Sequence, residues 1–268
     1  MQPTNPTNST TTSPVLEVKD LTVSFGDRHG RALAIDNLTF TLLPGETLAI
    51  VGESGCGKSV TALSILGLIS SPPGKIEGGT IRFSGCDILG ISEAQLQKIR
   101  GNEIAMIFQE PMTSLNPVIT IGRQVTEAMM FHQGLSRKQA EKRGVELLNL
   151  VQIPEADQRM RQYPHQMSGG MRQRVMIAVA LSCHPRILIA DEPTTALDVT
   201  VQAQILDLMA DLKDELGTAI IFITHDLGVV AEMANRVLFM YAGCIIEEGA
   251  VEEIFENPIQ MYDPPGSP

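Results

Sequence analysis

Gly52-Glu53-Ser54-Gly55-Cys56-Gly57-Lys58-Ser59 is the stretch on which the rest of the chain turns. An apolar run, Thr47-Leu48-Ala49-Ile50-Val51, precedes it, and Val60-Thr61-Ala62-Leu63-Ser64-Ile65-Leu66-Gly67-Leu68 follows. The pattern is G-x-x-x-x-G-K-[ST] between a strand-like and a helix-like segment, the setting in which this spacing forms a phosphate-binding loop. Glycines let the backbone wrap a polyphosphate with its N–H groups pointing inward. The helix then opens with its positive dipole end and unpaired donors facing the anion. Lys58 is expected to reach the β- and γ-phosphates, and the Ser59 hydroxyl to ligand Mg2+. A chance match in a chain of this length is on the order of 1%, so nucleotide binding is read directly from these positions.

Composition bounds what surrounds this loop. The chain has 268 residues, 43% of them hydrophobic, which is enough for a sizeable core. Its formal net charge of -11 at pH 7 argues against a nucleic-acid groove or an anionic lipid surface as the main partner. No apolar run approaches the ~18 residues needed to cross a bilayer. Residues 1–14 lack the basic and apolar regions of a signal peptide and read as a disordered polar tail. Cys56, Cys86, Cys183 and Cys244 are scattered without metal-ligand spacing and read as reduced cytosolic thiols. Cys56 lies inside the loop, where its backbone is expected to matter more than its side chain; a helix N-terminus and Lys58 nevertheless favour thiolate, and on that second reading alkylation is expected to block nucleotide binding, with ATP protecting.

Before the loop, Val15-Leu16-Glu17-Val18, Leu21-Thr22-Val23-Ser24-Phe25, Ala34-Ile35 and Leu38-Thr39-Phe40 alternate as antiparallel strands, with a turn at residues 26–30. Phe25 ends one of these runs, and spacing leaves two readings open: a ring that stacks on adenine, or a rim residue of the core. After the loop, Pro72-Pro73-Gly74 and Gly78-Gly79 are expected to be loops around a short strand, Thr80-Ile81-Arg82-Phe83. Ile104-Ala105-Met106-Ile107-Phe108 is a strand ending at Gln109, followed by a proline-bounded loop, Glu110-Pro111-Met112-Thr113-Ser114-Leu115-Asn116-Pro117. From Ile121 to about Tyr163 the composition turns helical, which marks an inserted helical subdomain over about 112–165.

A second glycine-rich element, Ser168-Gly169-Gly170, opens an apolar helix that stops near His184-Pro185, again a small anion site by chemistry. Ile187-Leu188-Ile189-Ala190 is a fully apolar strand ending in Asp191-Glu192-Pro193. Such strands are central and parallel, and ligands bind beyond their carboxyl ends. Beside a phosphate loop, two acids there read as a Mg2+-site acid and an acid that orients or deprotonates water. Ala196-Leu197-Asp198 leads into an amphipathic helix with Val201, Ile205, Leu208, Leu212 and Leu216 on one face and Gly217 as its stop. Ala219-Ile220-Ile221-Phe222-Ile223 is the next buried strand, and it places His225 on the same edge. A hairpin, Val237-Leu238-Phe239-Met240-Tyr241 with Cys244-Ile245-Ile246-Glu247, closes the sheet; residues 259–268 read as an irregular tail.

Taken together these motifs resemble the ATP-binding subunits of ABC transporters, over essentially Val15 to Pro258. The resemblance rests on Phe25, the Gly52–Ser59 loop, Gln109, Ser168-Gly169-Gly170, Asp191-Glu192 with Ala196-Leu197-Asp198, and His225, all in the family's order. Finer details are similar to the dipeptide/oligopeptide/nickel importer branch. These are Phe108-Gln109-Glu110-Pro111-Met112-Thr113-Ser114-Leu115-Asn116-Pro117, Tyr163-Pro164-His165, Ser168-Gly169-Gly170-Met171-Arg172-Gln173-Arg174 and Tyr241-Ala242-Gly243. Met171 stands where the general signature has glutamine, which suits this branch. After Pro258 the branch commonly continues with a His-Pro-Tyr-Thr stretch, whereas here Ile259-Gln260-Met261-Tyr262 runs into a proline-rich end.

The resemblance implies an α/β fold: a P-loop NTPase (RecA-like) core with an antiparallel β subdomain and the helical insertion. It implies an ATPase with ATP and Mg2+ at its site. Gly52, Glu53, Ser54, Gly55, Cys56, Gly57, Lys58, Ser59 and Val60 would hold the nucleotide, with Phe25 on adenine. Glu192 would be the general base, His225 would hold the γ-phosphate and water arrangement, and Asp191, Ser59 and Gln109 would surround Mg2+. Ser168, Gly169 and Gly170 would cap the γ-phosphate bound to a second ATPase subunit in a head-to-tail dimer, and Asp198 would cross that interface. Two transmembrane permease subunits and, indirectly, a solute-binding protein would complete an importer on the cytoplasmic face of the inner membrane. A soluble ABC-type ATPase acting on DNA or ribosomes would carry a long coiled coil or two cassettes, and neither is present. A nonhydrolysing regulatory module is opposed by Glu192 and His225.

Overall fold

The computed structural model describes residues 13–27, 30–109, 114–195 and 197–256. The expected tails, the turn at Arg28-His29, Glu110-Pro111-Met112-Thr113 and Ala196 lie wholly or largely outside these residues. Two long strands, β1 (Leu16–Asp27) and β2 (Gly30–Leu42), replace the four short runs that alternation predicts. The runs are continuous because the breaks between them are bulges. Asp20 (φ 52°) and Asn37 (φ 50°) are left-handed, and the β1–β2 register shifts between Val18 and Leu21 and again before Val23. Asp and Asn are the side chains that tolerate this region best.

After β3 (Thr47–Gly52) and α1 (Lys58–Ile65), the strand β4 spans Gly74–Phe83. Gly78 and Gly79 therefore lie within a strand, which corrects the expectation of a loop. Gly79 sits at φ +96° opposite the Asp20 bulge, and a Cβ there would lie 2.6 Å from Asp20 O. A glycine that reads as a breaker is here the residue that lets two backbones approach. With β5 (Cys86–Asp87) these strands form a four-stranded antiparallel sheet in the order β2-β1-β4-β5.

The remaining elements follow as α2 (Glu93–Ile99), β6 (Ile104–Ile107), α3 (Ile121–Gln133), α4 (Arg137–Leu150), α5 (Ala156–Arg159), α6 (Gly169–Leu181) and β7 (Ile187–Asp191). Then come α7 (Val199–Leu216), β8 (Ala219–Thr224), α8 (Leu227–Met233), β9 (Arg236–Tyr241), β10 (Cys244–Ala250) and α9 (Val251–Glu256). Between β6 and β7 the described residues form helices and turns only. The second sheet has the order β10-β9-β3-β8-β7-β6, with β10 antiparallel and the rest parallel.

Both faces of this sheet are buried, and the side chains divide between two cores with the strand's period of two. Leu188, Ala190, Ile220 and Phe222 pack with α3, α4, α6 and α7 residues such as Met129, Leu148, Ile177 and Ile205. Ile187, Ile189, Ile221 and Ile223 pack on the other side with Ile65 of α1 and Leu16, Ile35 and Ile81 of the antiparallel sheet. Parallel pairing and strand order together place the site. Because β3, β8 and β7 are neighbours running the same way, the segments after Gly52, Thr224 and Asp191 emerge side by side. The segment after β6, with Gln109, emerges next to that of β7.

Candidate nucleotide site

The phosphate loop needs its glycines for measurable reasons. A Cβ on Gly52 would lie 2.3 Å from Met240 O and 2.6 Å from Cys56 Sγ. Gly57 combines φ +110° with a Cβ position 2.6 Å from Ala34 O. The tip of the β9–β10 hairpin braces the loop from behind, with Gly243 N donating to Cys56 O at 3.0 Å. Gly55, by contrast, has nothing within 4 Å of a Cβ, and Glu53 and Ser54 are exposed beside it, so the mouth of the loop is open.

Lys58 is buried, 6% exposed, at the start of α1. Its Nζ donates to Gly52 O at 2.6 Å and Glu53 O at 2.8 Å, and lies 3.9 Å from Cys56 Sγ. A buried lysine held by backbone carbonyls at the start of α1 is placed beside the loop that a polyphosphate would enter. Cys56 is buried and Ser59 exposed, and Val60 is half-buried against the core shared with α1 and the antiparallel sheet.

Asp191 ends β7 and is buried. Burial pushes its carboxyl above the usual range; a hydrogen bond with Ser59 opposes this, the Glu192 charge adds to it, and Lys58 opposes it. Glu192 follows in the left-handed region at φ 46°, a placement costing ~1–3 kcal/mol for a residue of this type. Its N–H donates to Ile223 O at 2.9 Å, so β8 holds the turn. Its Oε2 accepts from Thr195 Oγ1 and Gln109 Nε2, both at 2.9 Å, and His225 Nδ1 lies 3.3 Å from Oε1. Burial alone would raise this carboxyl, but Thr195, His225 and Gln109 together hold it below the usual range.

This donor set suits a small hard cation. A hydroxyl (Ser59), a carboxylate (Asp191) and an amide oxygen (Gln109) offer oxygen ligands, the chemistry Mg2+ takes alongside phosphate oxygens and water. Among the described residues no group of three or more His, Cys, Asp or Glu is placed to hold a metal.

The fold thus gathers the phosphate loop, Gln109, Asp191, Glu192 and His225. It leaves the other predicted site residues apart: among the described residues, no hydrogen bond joins Ser168, Gly169, Gly170 or Asp198 to this cluster. Ser168 Oγ caps its own helix by accepting from Met171 N at 3.3 Å, and Asp198 Oδ1 caps α7 by accepting from Val201 N at 3.0 Å. A Cβ on Gly170 would lie 2.9 Å from Val201 Cγ1, whereas Gly169 has open space. Phe25 is half-buried, its Cε1 2.8 Å from a Cβ position on Gly74, so the ring lies at the rim of the antiparallel sheet's core. Thr195 is the residue sequence reasoning missed. Its signal was a hydroxyl three positions after an acid, a spacing at which Ser and Thr often bond locally.

The family profile described as ABC transporter matches residues 35–195. The oligopeptide transport ATP-binding protein OppD of Bacillus subtilis (strain 168) is 58% identical over 248 residues, covering 92% of this chain and 69% of the relative. AppD of the same strain, also an oligopeptide transport ATP-binding protein, is 54% identical over 93% of this chain and 76% of its own length. Among solved structures, the dimeric post-hydrolysis state of the ATP-binding cassette MJ0796 bound to ADP and Pi superposes with a TM-score of 0.78. It is 29% identical and covers 88% of this chain and 98% of that one. A P-loop strand, buried lysine and paired strand-end acids on one sheet edge, with these relatives, lead to one conclusion: the chain belongs to the ABC transporter family of ATP-binding, ATP-hydrolysing cassettes.

Proposed function

We propose that this chain is the ATP-hydrolysing subunit of an importer for peptides or a related small solute. It would work as one of two cassettes beneath a pair of transmembrane permeases, with a solute-binding protein delivering cargo outside. The names of the relatives support the solute class. The described residues contain no helix long and apolar enough to cross a membrane. Attachment to the inner face of the membrane would therefore run through the permeases. The helices within about 112–165 of a 15–258 ATPase domain, with the segment after β6, are the surface we assign to that contact.

Bound Mg2+ would neutralise charge on the β- and γ-oxygens. Ser59, Asp191 and Gln109 would hold it, while Lys58 and the loop amides hold the phosphates. Glu192 would take a proton from the attacking water, His225 would steady that water against the γ-phosphate, and Phe25 would stack on adenine. Ser168, Gly169 and Gly170 would present the α6 N-terminus to the γ-phosphate on the second chain, with Asp198 at the same interface. A γ-phosphate bridging two surfaces stabilises the closed pair, and its loss lets the pair part.

The observation that carries this reading is the Glu192 carboxylate, ionised and held by Thr195, Gln109 and His225 on the sheet edge that bears Lys58. The experiment is steady-state ATP hydrolysis with direct nucleotide binding. Lys58→Ala should lose binding at least tenfold, and Glu192→Gln should bind ATP normally while turnover falls at least a hundredfold. Normal binding and turnover by both variants would refute the assignment.

A further inference from the structure

Gln173 lies on α6, one helical turn beyond Gly169-Gly170, and is 1% exposed. Its Nε2 donates to the carbonyl of Pro193, the buried residue immediately after Glu192. That bond joins the helix opened by the serine-diglycine turn to the acid-bearing loop. The neighbouring Arg174 fixes α6 elsewhere: Nη1 donates to Val151 O and Gln152 Oε1, both at 3.1 Å, and Nη2 to Gln204 Oε1 of α7 at 3.2 Å. These bonds tie the helix to the end of α4 and to α7, and through Gln173 to Pro193.

Glu192 is the point where such a link matters. Its left-handed backbone is held on one side by Ile223 O, through its own N–H at 2.9 Å. On the other side Pro193 follows it, and Gln173 holds the carbonyl of that residue, one peptide unit beyond the one that adjoins Glu192. Strained placements of this kind persist only where neighbours over-determine them. A shift of α6 would move the second of these restraints directly, and with it the aim of the carboxylate.

We propose that Gln173 is a positioning residue that couples an anion seated at Ser168-Gly169-Gly170 to the aim of Glu192 in the same chain. In a head-to-tail pair that anion belongs to the partner's nucleotide, so each site reads the occupancy of the other through this side chain. The proposal rests on the roles given above to Glu192 and to the serine-diglycine turn. A purely structural Gln173 would only satisfy a buried carbonyl, and its loss would lower stability without altering how turnover depends on ATP.

The test uses the full chain carrying Gln173→Met, which keeps the length and removes the donor. Gln173→Glu, whose ionised carboxylate is acceptor-only, is assayed at alkaline pH in case the first variant does not fold. Melting temperature, ATP affinity, kcat, KM and the shape of the ATP dependence are measured beside Glu192→Gln. The expected result is a folded protein with ATP affinity and KM within about twofold of wild type, and kcat lower by about tenfold (~1.4 kcal/mol). The sigmoidal component of the wild-type curve should be lost. Wild-type kcat in a folded variant, or a hyperbolic curve already in the wild type, overturns the proposal. Full turnover by Glu192→Gln would instead remove the reading on which it rests, and the proposal with it.

Discussion

Thr195 Oγ1 donates to Glu192 Oε2 at 2.9 Å, three residues along a loop whose first position is backbone-strained. The bond orients the acid from within its own loop, whereas Gln109 and His225 reach it from other strand ends. A hydrogen bond to a charged group contributes ~1.5–3 kcal/mol. Thr195→Val should therefore lower kcat roughly tenfold to a hundredfold with ATP affinity unchanged, and Thr195→Ser should restore most of the rate. A Thr195→Val enzyme with wild-type kcat would show that the carboxylate is aimed without it.

The two loop glycines Gly55 and Gly57 differ in a way that stability can read. Both have positive φ, but only Gly57 has backbone against its missing Cβ, with Ala34 O at 2.6 Å, while Gly55 faces open space. Gly57→Ala should cost ~1–3 kcal/mol or more, since strain and collision add, and should abolish nucleotide binding. Gly55→Ala should cost distinctly less. Thermal unfolding of the two variants is the check, and equal melting temperatures would contradict the packing described.

Acid should loosen the fold through its histidines. His132, half-buried on α3, is pushed below its ordinary 6.5 by burial, opposed by a hydrogen bond with the Arg100 backbone. His184 is lowered in the same direction by burial and by the Arg143 charge, with Glu215 opposing. A histidine with a folded pKa below its unfolded value leaves stability intact above 6.5. Below that the unfolded chain binds more protons, and stability falls with pH. The melting temperature should drop between pH 7.5 and 5.5, and by less in His132→Gln/His184→Gln. An equal drop in that variant would place the acid sensitivity elsewhere.

Much of this site was legible because its parts are contiguous in the chain. Lys58 and Ser59 sit in one short pattern, and Asp191-Glu192 and His225 each end an apolar run that can only be a buried strand. The antiparallel sheet was less legible. Asp20 and Gly79 read as breaks one at a time, and only their pairing across β1 and β4 shows a single bulged strand pair. Thr195 went unread because its meaning depends on the turn at Glu192, whose left-handed backbone is set by Ile223 on another strand. The separation of Ser168-Gly169-Gly170 from the acids depends on how α6 packs against Val201. Helical periodicity says which face is buried, not against what.

In the proposed site, Lys58 of one chain and the serine-diglycine turn of a second grip the same nucleotide. Sedimentation of Glu192→Gln with and without saturating MgATP tests this most directly. The account predicts a monomer without nucleotide and, with it, a dimer holding two ATP molecules that Ser168→Arg abolishes while ATP still binds. A Glu192→Gln chain that stayed monomeric with ATP fully bound would contradict it.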